Sequence, residues 1–111
     1  MVRYVVAIPK ELVDRLFGEM ASKLPGNASM GEFKEKISSM VTEILKELER
    51  DSRLTQIINQ YGPRILESLN RRLANQQNLT EFNNNRQKAL NDMGVSFNKA
   101  LVDVLRAILK K

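Results

Sequence analysis

The chain has 111 residues, of which 42% are hydrophobic and 28% charged, and its net charge is +5. Those proportions fit one domain with one modest core and argue against wholesale disorder. Histidine and cysteine are both absent, which excludes disulfides, thiolate nucleophiles and cysteine metal sites and removes the commonest general base.

The charge is unevenly placed. Residues 1–51 carry 8 Lys/Arg and 9 Asp/Glu, a net of −1, whereas residues 52–111 carry 10 and 4, a net of +6. Such asymmetry points to an acidic partner for the basic half. No apolar run reaches the roughly 18 residues of a membrane span. The apolar start, Val5 to Ile8, is shorter than a signal-peptide core and runs into Pro9, Lys10 and Glu11. The expected location is the cytoplasm.

Residues 3–8, rich in β-branched and aromatic side chains, predict a short extended segment. Pro9 fits the first position of a helix, in which Leu12, Val13, Leu16, Phe17, Met20, Ala21 and Leu24 recur at helical spacing. Pro25, Gly26 and Asn27 end it. Ser29 and Glu32 form a capping-box signature for a second helix. Its stripe is Met30, Phe33, Ile37, Met40, Val41, Ile44, Leu45 and Leu48, and its opposite face alternates acids and bases.

A short third helix is predicted over Ser52–Tyr61, interrupted by Gly62 and Pro63. A fourth follows, with Ile65, Leu66, Leu69 and Leu73 inward. Nine of the seventeen residues from Asn75 to Asn91 are Asn or Gln, which predicts a polar loop and then a helix from about Leu79. Asn78 and Glu81 offer a capping box there, and Gly94 ends that helix. Ser96 caps the last one, with Phe97, Ala100, Leu101, Val104, Leu105 and Ile108 inward. The expectation is a single all-α domain over 1–111: a bundle of five or six helices, with or without one short N-terminal strand.

Helical geometry advances about 100° per residue, so the direction of each cation follows from its position. Arg64 and Arg71 share the side opposite the apolar stripe of their helix, and Arg72 lies on its flank. Lys99, Arg106 and Lys110 align opposite the stripe of the last helix, with Asp103 the one acid among them. Lys88 lies on the neighbouring helix. Arg86 falls on an apolar stripe between Phe82 and Leu90, where it must reach solvent, pair with an acid such as Asp92 or Glu67, or face a partner. Arg64, Arg71, Arg72, Arg86, Lys88, Lys99, Arg106 and Lys110 are therefore the candidate nucleic-acid-binding residues, since a basic face short of acids is the footprint of phosphate binding. Tyr61, Phe82 and Phe97 fit inward stripes, so binding is expected to follow the backbone and ignore sequence. The residues suggest no catalytic group, no metal site and no cofactor.

The start of the chain, Arg3-Tyr4-Val5-Val6-Ala7-Ile8-Pro9-Lys10-Glu11-Leu12 followed by Gly26 and Ser29, resembles the ribbon-helix-helix DNA-binding regulators. That resemblance implies a dimer whose paired strands place Arg3, Val5 and Ala7 in the major groove. In size, helicity and basic final half, with Arg64, Arg71, Arg72, Lys99, Arg106 and Lys110, the chain is also similar to small helical subunits of nucleoprotein assemblies. Examples are the small subunits of CRISPR effector complexes and the helical coat proteins of filamentous archaeal viruses. This second likeness implies a non-enzymatic subunit on an RNA or DNA backbone, with protein partners in a multi-subunit assembly and self-association along the nucleic acid. A structural or adaptor bundle that binds a protein partner is the remaining expectation.

Overall fold

A computed structural model describes residues 10–109 as five α-helices joined by short connections: α1 (Lys10–Ser22), α2 (Met30–Leu48), α3 (Thr55–Leu73), α4 (Gln76–Asn84) and α5 (Arg86–Leu109). No strand occurs among the described residues, and the extended segment predicted over residues 3–8 lies outside them. The all-helical expectation holds, with five helices.

In α1 the apolar positions Val13, Leu16, Phe17, Met20 and Ala21 are all buried. The helix ends at Ser22, ahead of Pro25, whose ring disfavours helical backbone at the residue before it. Lys23 N–H and Leu24 N–H donate to the Met20 and Ala21 carbonyls at 3.2 Å each, which tightens the last turn. The capping box of α2 forms as predicted. Glu32 N–H donates to Ser29 Oγ at 3.2 Å and Ser29 N–H donates to Glu32 Oε1 at 3.0 Å. The Ser29 N–H first, and then the Ser29 side chain, hold the Glu32 carboxyl below its ordinary pKa. Asp51 shapes the turn into α3: its carboxylate accepts from Arg53 N–H and from Nε and Nη2 of the Arg53 guanidinium, at 2.7 to 3.1 Å. These bonds pull its pKa down to about 2.

Two predicted boundaries are overturned. The break expected at Gly62 and Pro63 does not occur, because α3 runs unbroken from Thr55 to Leu73 with Pro63 inside it. Proline there removes the bond to the Asn59 carbonyl, at a cost of about 3 kcal/mol. Pro63 and Asn59 are exposed, so water can reach the orphaned carbonyl. Ile58 before the proline and Ile65, Leu69 and Leu73 after it are buried on one stripe, and only a continuous helix keeps them in register. Likewise α5 does not stop at Gly94 or restart at Ser96. Ala89, Met93, Phe97, Ala100 and Leu101 bury one continuous stripe through both positions, which outweighs the ~1 kcal/mol cost of a helical glycine.

The break lies at Asn85, whose backbone is extended (φ −147°, ψ 90°). The amide-rich stretch is not a loop either. It forms α4, capped by Asn75 rather than Asn78, with Asn78 N–H donating to Asn75 Oδ1 at 2.9 Å.

Several of these amides have structural duties. Asn78 Nδ2 donates to the Leu73 carbonyl at 2.8 Å. Asn85 Oδ1 accepts from Lys88 N–H at 3.3 Å at the start of α5. Asn83 holds Ala28 by both backbone groups, accepting from its N–H at 3.0 Å and donating to its carbonyl at 3.1 Å. The core is knitted by Phe17 edge-on to Phe97, with ring centroids 6.2 Å apart, and by Phe33 against Phe82 at 5.5 Å. α2 packs between α1 and α3, and α5 lies against α1, α3 and α4. The body measures 45 × 24 × 20 Å, long enough to carry α5 (~36 Å at 1.5 Å per residue) along its length.

Candidate nucleic-acid interface

The two helices that carry most of the excess charge are neighbours. α3 and α5 pack directly on each other, and the Arg72–Asp103 ion pair, 3.3 Å between Nη1 and Oδ2, bridges their seam. Arg64 and Arg71 are exposed on the outer side of α3, opposite Ile58, Ile65 and Leu69. Arg71 Nη2 donates to Glu67 Oε1 at 2.7 Å, one helical turn away. That pair is some three-quarters exposed on both sides. Exposed pairs of this kind are worth well under about 1 kcal/mol, so a phosphate can displace Glu67 at little cost. Arg64 forms no ion pair with any described residue.

The continuity of α5 changes the arrangement expected from sequence. The sequence predicts Lys88 on a separate helix from Lys99 and Arg106, yet the three stand on one rod. All are exposed, at spacings of eleven and seven residues that return them to within about 20° of one direction. None of them pairs with an acid among the described residues. Asp103 is turned to the seam by Arg72, and Asp92 is the other acid on the outer half of α5. Lys110 lies outside the described residues.

Arg86 stands apart from this group. Its guanidinium does not pair with Asp92 or Glu67. It reaches back to the end of α1, where Nη1 donates to the Ala21 carbonyl at 3.0 Å and the Leu24 carbonyl at 3.3 Å, and Nη2 to the Pro25 carbonyl at 2.6 Å. The same group sits 4.4 Å from the centroid of the Phe82 ring. A cation at a helix C-terminus also meets the negative end of the helix dipole. These contacts explain how an arginine is tolerated on an apolar stripe, and they take three of its five N–H donors.

No polar or charged residue is buried among the described residues, and none of their carboxylates gather in a group of three that would hold a metal. The concave features are open surface grooves. The one between α2 and α3 mixes Lys34 and Arg71 with Glu35 and Glu67, beside Ser38 and Asn70, so its charges balance and it favours neither sign of ligand. No helix among the described residues is long and apolar enough to cross a membrane. No protein-family model, no curated protein and no solved structure matches this chain.

Proposed function

We propose that this chain is a non-enzymatic, helical nucleic-acid-binding subunit that takes its affinity from the sugar–phosphate backbone, independent of sequence, and works in the cytoplasm within a larger nucleoprotein assembly. One observation carries the reading. Residues 52–111 carry a net +6, and five of their cations stand exposed on the outer faces of two packed helices, Arg64 and Arg71 on α3 and Lys88, Lys99 and Arg106 on α5. All but Arg71, which Glu67 holds in an exposed pair, are free of acids among the described residues, and each phosphate contact by such cations releases condensed counterions.

The exposed face of α2 and the turn after it are built differently: Lys46 meets Glu43 at 3.7 Å and Arg50, just past the helix, meets Glu47 at 3.5 Å. That face is self-compensated, which supports assigning the contact to α3 and α5. The buried apolar stripes of α1 and α2 belong to the single core of this chain. This favours the subunit reading over a ribbon-helix-helix regulator, whose two helices complete their core against a second copy.

Titration of the full chain with random-sequence single- and double-stranded oligonucleotides tests the proposal. Binding that weakens steeply with salt supports it. Retained affinity in an Arg64→Glu/Arg71→Glu/Lys99→Glu/Arg106→Glu variant overturns the assignment of the face. A dimer whose binding depends on Arg3 would instead support the regulator, and a protein that binds no nucleic acid at moderate salt would support the adaptor bundle.

A further inference from the structure

The outer face of α5 holds more than cations. Its most outward line is occupied by Lys88, Val95 and Arg106, with Asn91 and Asn98 beside Val95 and Lys99 on the other side. Val95 is 73% exposed and is the one large hydrophobic residue standing in solvent among the described residues. Nothing in the fold requires these choices. Valine and asparagine are poorer helix formers than Lys, Glu or Ala by a few tenths of a kcal/mol each, and none of the three packs into the core. The exposed side of α2, by contrast, uses the strong formers Glu35, Glu43 and Lys46.

We infer that α5 is a reading helix for the major groove of double-stranded DNA, with Val95, Asn91 and Asn98 on base edges and Lys88, Lys99 and Arg106 on the flanking phosphates. The inference rests on the backbone-binding reading above and replaces its independence of sequence with a moderate preference for A·T pairs.

Three physical arguments choose this occupant. First, the charge complements phosphate, since Lys88, Lys99 and Arg106 pair with no acid among the described residues. Second, the aromatics argue against single strands. Phe17, Phe33, Phe82 and Phe97 are buried and Tyr61 is half-buried, so the described residues present no fully exposed ring on which unpaired bases would stack. Third, the shape suits a B-form groove. An unbroken helix of about 10–12 Å diameter with its outer half exposed matches a major groove about 12 Å wide, whereas the major groove of A-form RNA is too narrow to admit it. The side chains then suggest the pairs read. An asparagine amide bonds adenine at N6 and N7, and an aliphatic side chain packs on the thymine methyl. Asp92, on the same half of the helix, opposes phosphate and lowers affinity for every sequence alike.

The test uses the full chain and fluorescence anisotropy on 20-base-pair duplexes of three kinds: alternating A·T, alternating G·C, and the A·T duplex with uracil for thymine. The last keeps backbone charge and removes only the methyl from the major groove. The wild type is expected to bind A·T about three- to tenfold tighter than G·C and to lose about threefold on the uracil duplex. Val95→Ala should abolish the uracil effect, and Asn91→Ala/Asn98→Ala the A·T preference. Lys99→Ala/Arg106→Ala should weaken all three duplexes equally. All these positions are exposed, and circular dichroism checks that the variants remain folded. Equal binding to all three duplexes, with Val95→Ala silent and Lys99→Ala/Arg106→Ala weakened, overturns the base-reading role and leaves backbone binding standing. Binding to single strands alone also overturns the inference. Absence of any binding at low salt overturns both readings.

Discussion

Arg86 offers the sharpest test of how the fold is held. Its guanidinium ties the start of α5 to the end of α1 through the Ala21 carbonyl at 3.0 Å, the Leu24 carbonyl at 3.3 Å and the Pro25 carbonyl at 2.6 Å. A hydrogen bond from a charged donor contributes about 1.5–3 kcal/mol. The Pro25 bond is solvent-exposed and largely exchanges with water, and the Leu24 bond is long, so the three together amount to little more than one strong bond. The Phe82 contact at 4.4 Å adds about 0.5–1 kcal/mol. Arg86→Ala should therefore destabilise the protein by about 2–3 kcal/mol. Arg86→Lys keeps the charge beside the α1 dipole but loses the fork, and should cost about 1–2 kcal/mol. Urea unfolding followed by circular dichroism measures both. Hydrogen exchange should show faster opening at the Leu24 amide, which donates to Ala21, before the rest of the core. An Arg86→Ala variant within about 0.5 kcal/mol of wild type would refute the clamp. The variant should also leave the salt dependence of nucleic-acid binding unchanged, because the Arg86 guanidinium is turned to the carbonyls at the end of α1.

Three further outcomes follow from the same structure. Pro63→Ala restores the N–H that α3 lacks and should raise stability by about 1–3 kcal/mol, read as a higher urea midpoint; destabilisation would mean that α3 needs the proline. Gly94→Ala should stabilise by about 0.5–1 kcal/mol, since a Cβ there meets nothing within 4 Å and the residue lies inside a helix; a loss of stability in thermal unfolding would contradict the unbroken α5. Asp51 is held ionised in the fold, its pKa lowered from 3.8 to about 2 first by the Arg53 side chain and then by the Arg53 N–H. A lowered folded-state value stabilises above the unfolded pKa and is lost as pH falls through the folded one. The stability gap between wild type and Asp51→Asn should therefore shrink from pH 5 to pH 2, and a gap that stays constant in urea titrations across that range would contradict the assignment.

Much of the fold is legible in the sequence wherever an apolar stripe and a capping residue agree. α2 is the clearest case, with Ser29, Glu32 and seven buried residues from Phe33 to Leu48 all in place. What misled was local chemistry overruled by burial. Pro63 and Gly94 are breakers by propensity, yet each lies between stripe residues that can share one core only if the helix continues. The true break, Asn85, sits among asparagines of the same composition, and nothing in its identity sets it apart from Asn83 or Asn84. The amide-rich stretch reads as loop because its structural bonds, such as Asn83 to Ala28, span 55 residues of sequence. For the candidate interface, outward directions within α3 were readable from periodicity alone. The grouping of Lys88 with Lys99 and Arg106 was not, because it depends on α5 being one helix. The partner of Arg86 was also hidden, since backbone carbonyls at a distant helix end leave no mark in residue identity.

The central claim is that the outer cations of α3 and α5 hold a phosphate backbone, and the slope of log affinity against log salt concentration measures it most directly. Each phosphate neutralised contributes about 0.9 to that slope on duplex DNA. The wild-type chain should show a slope several units steep on random-sequence duplex, and Lys99→Ala/Arg106→Ala should reduce it by about 2. A wild-type slope near zero, or a slope unchanged in that variant, would contradict the account.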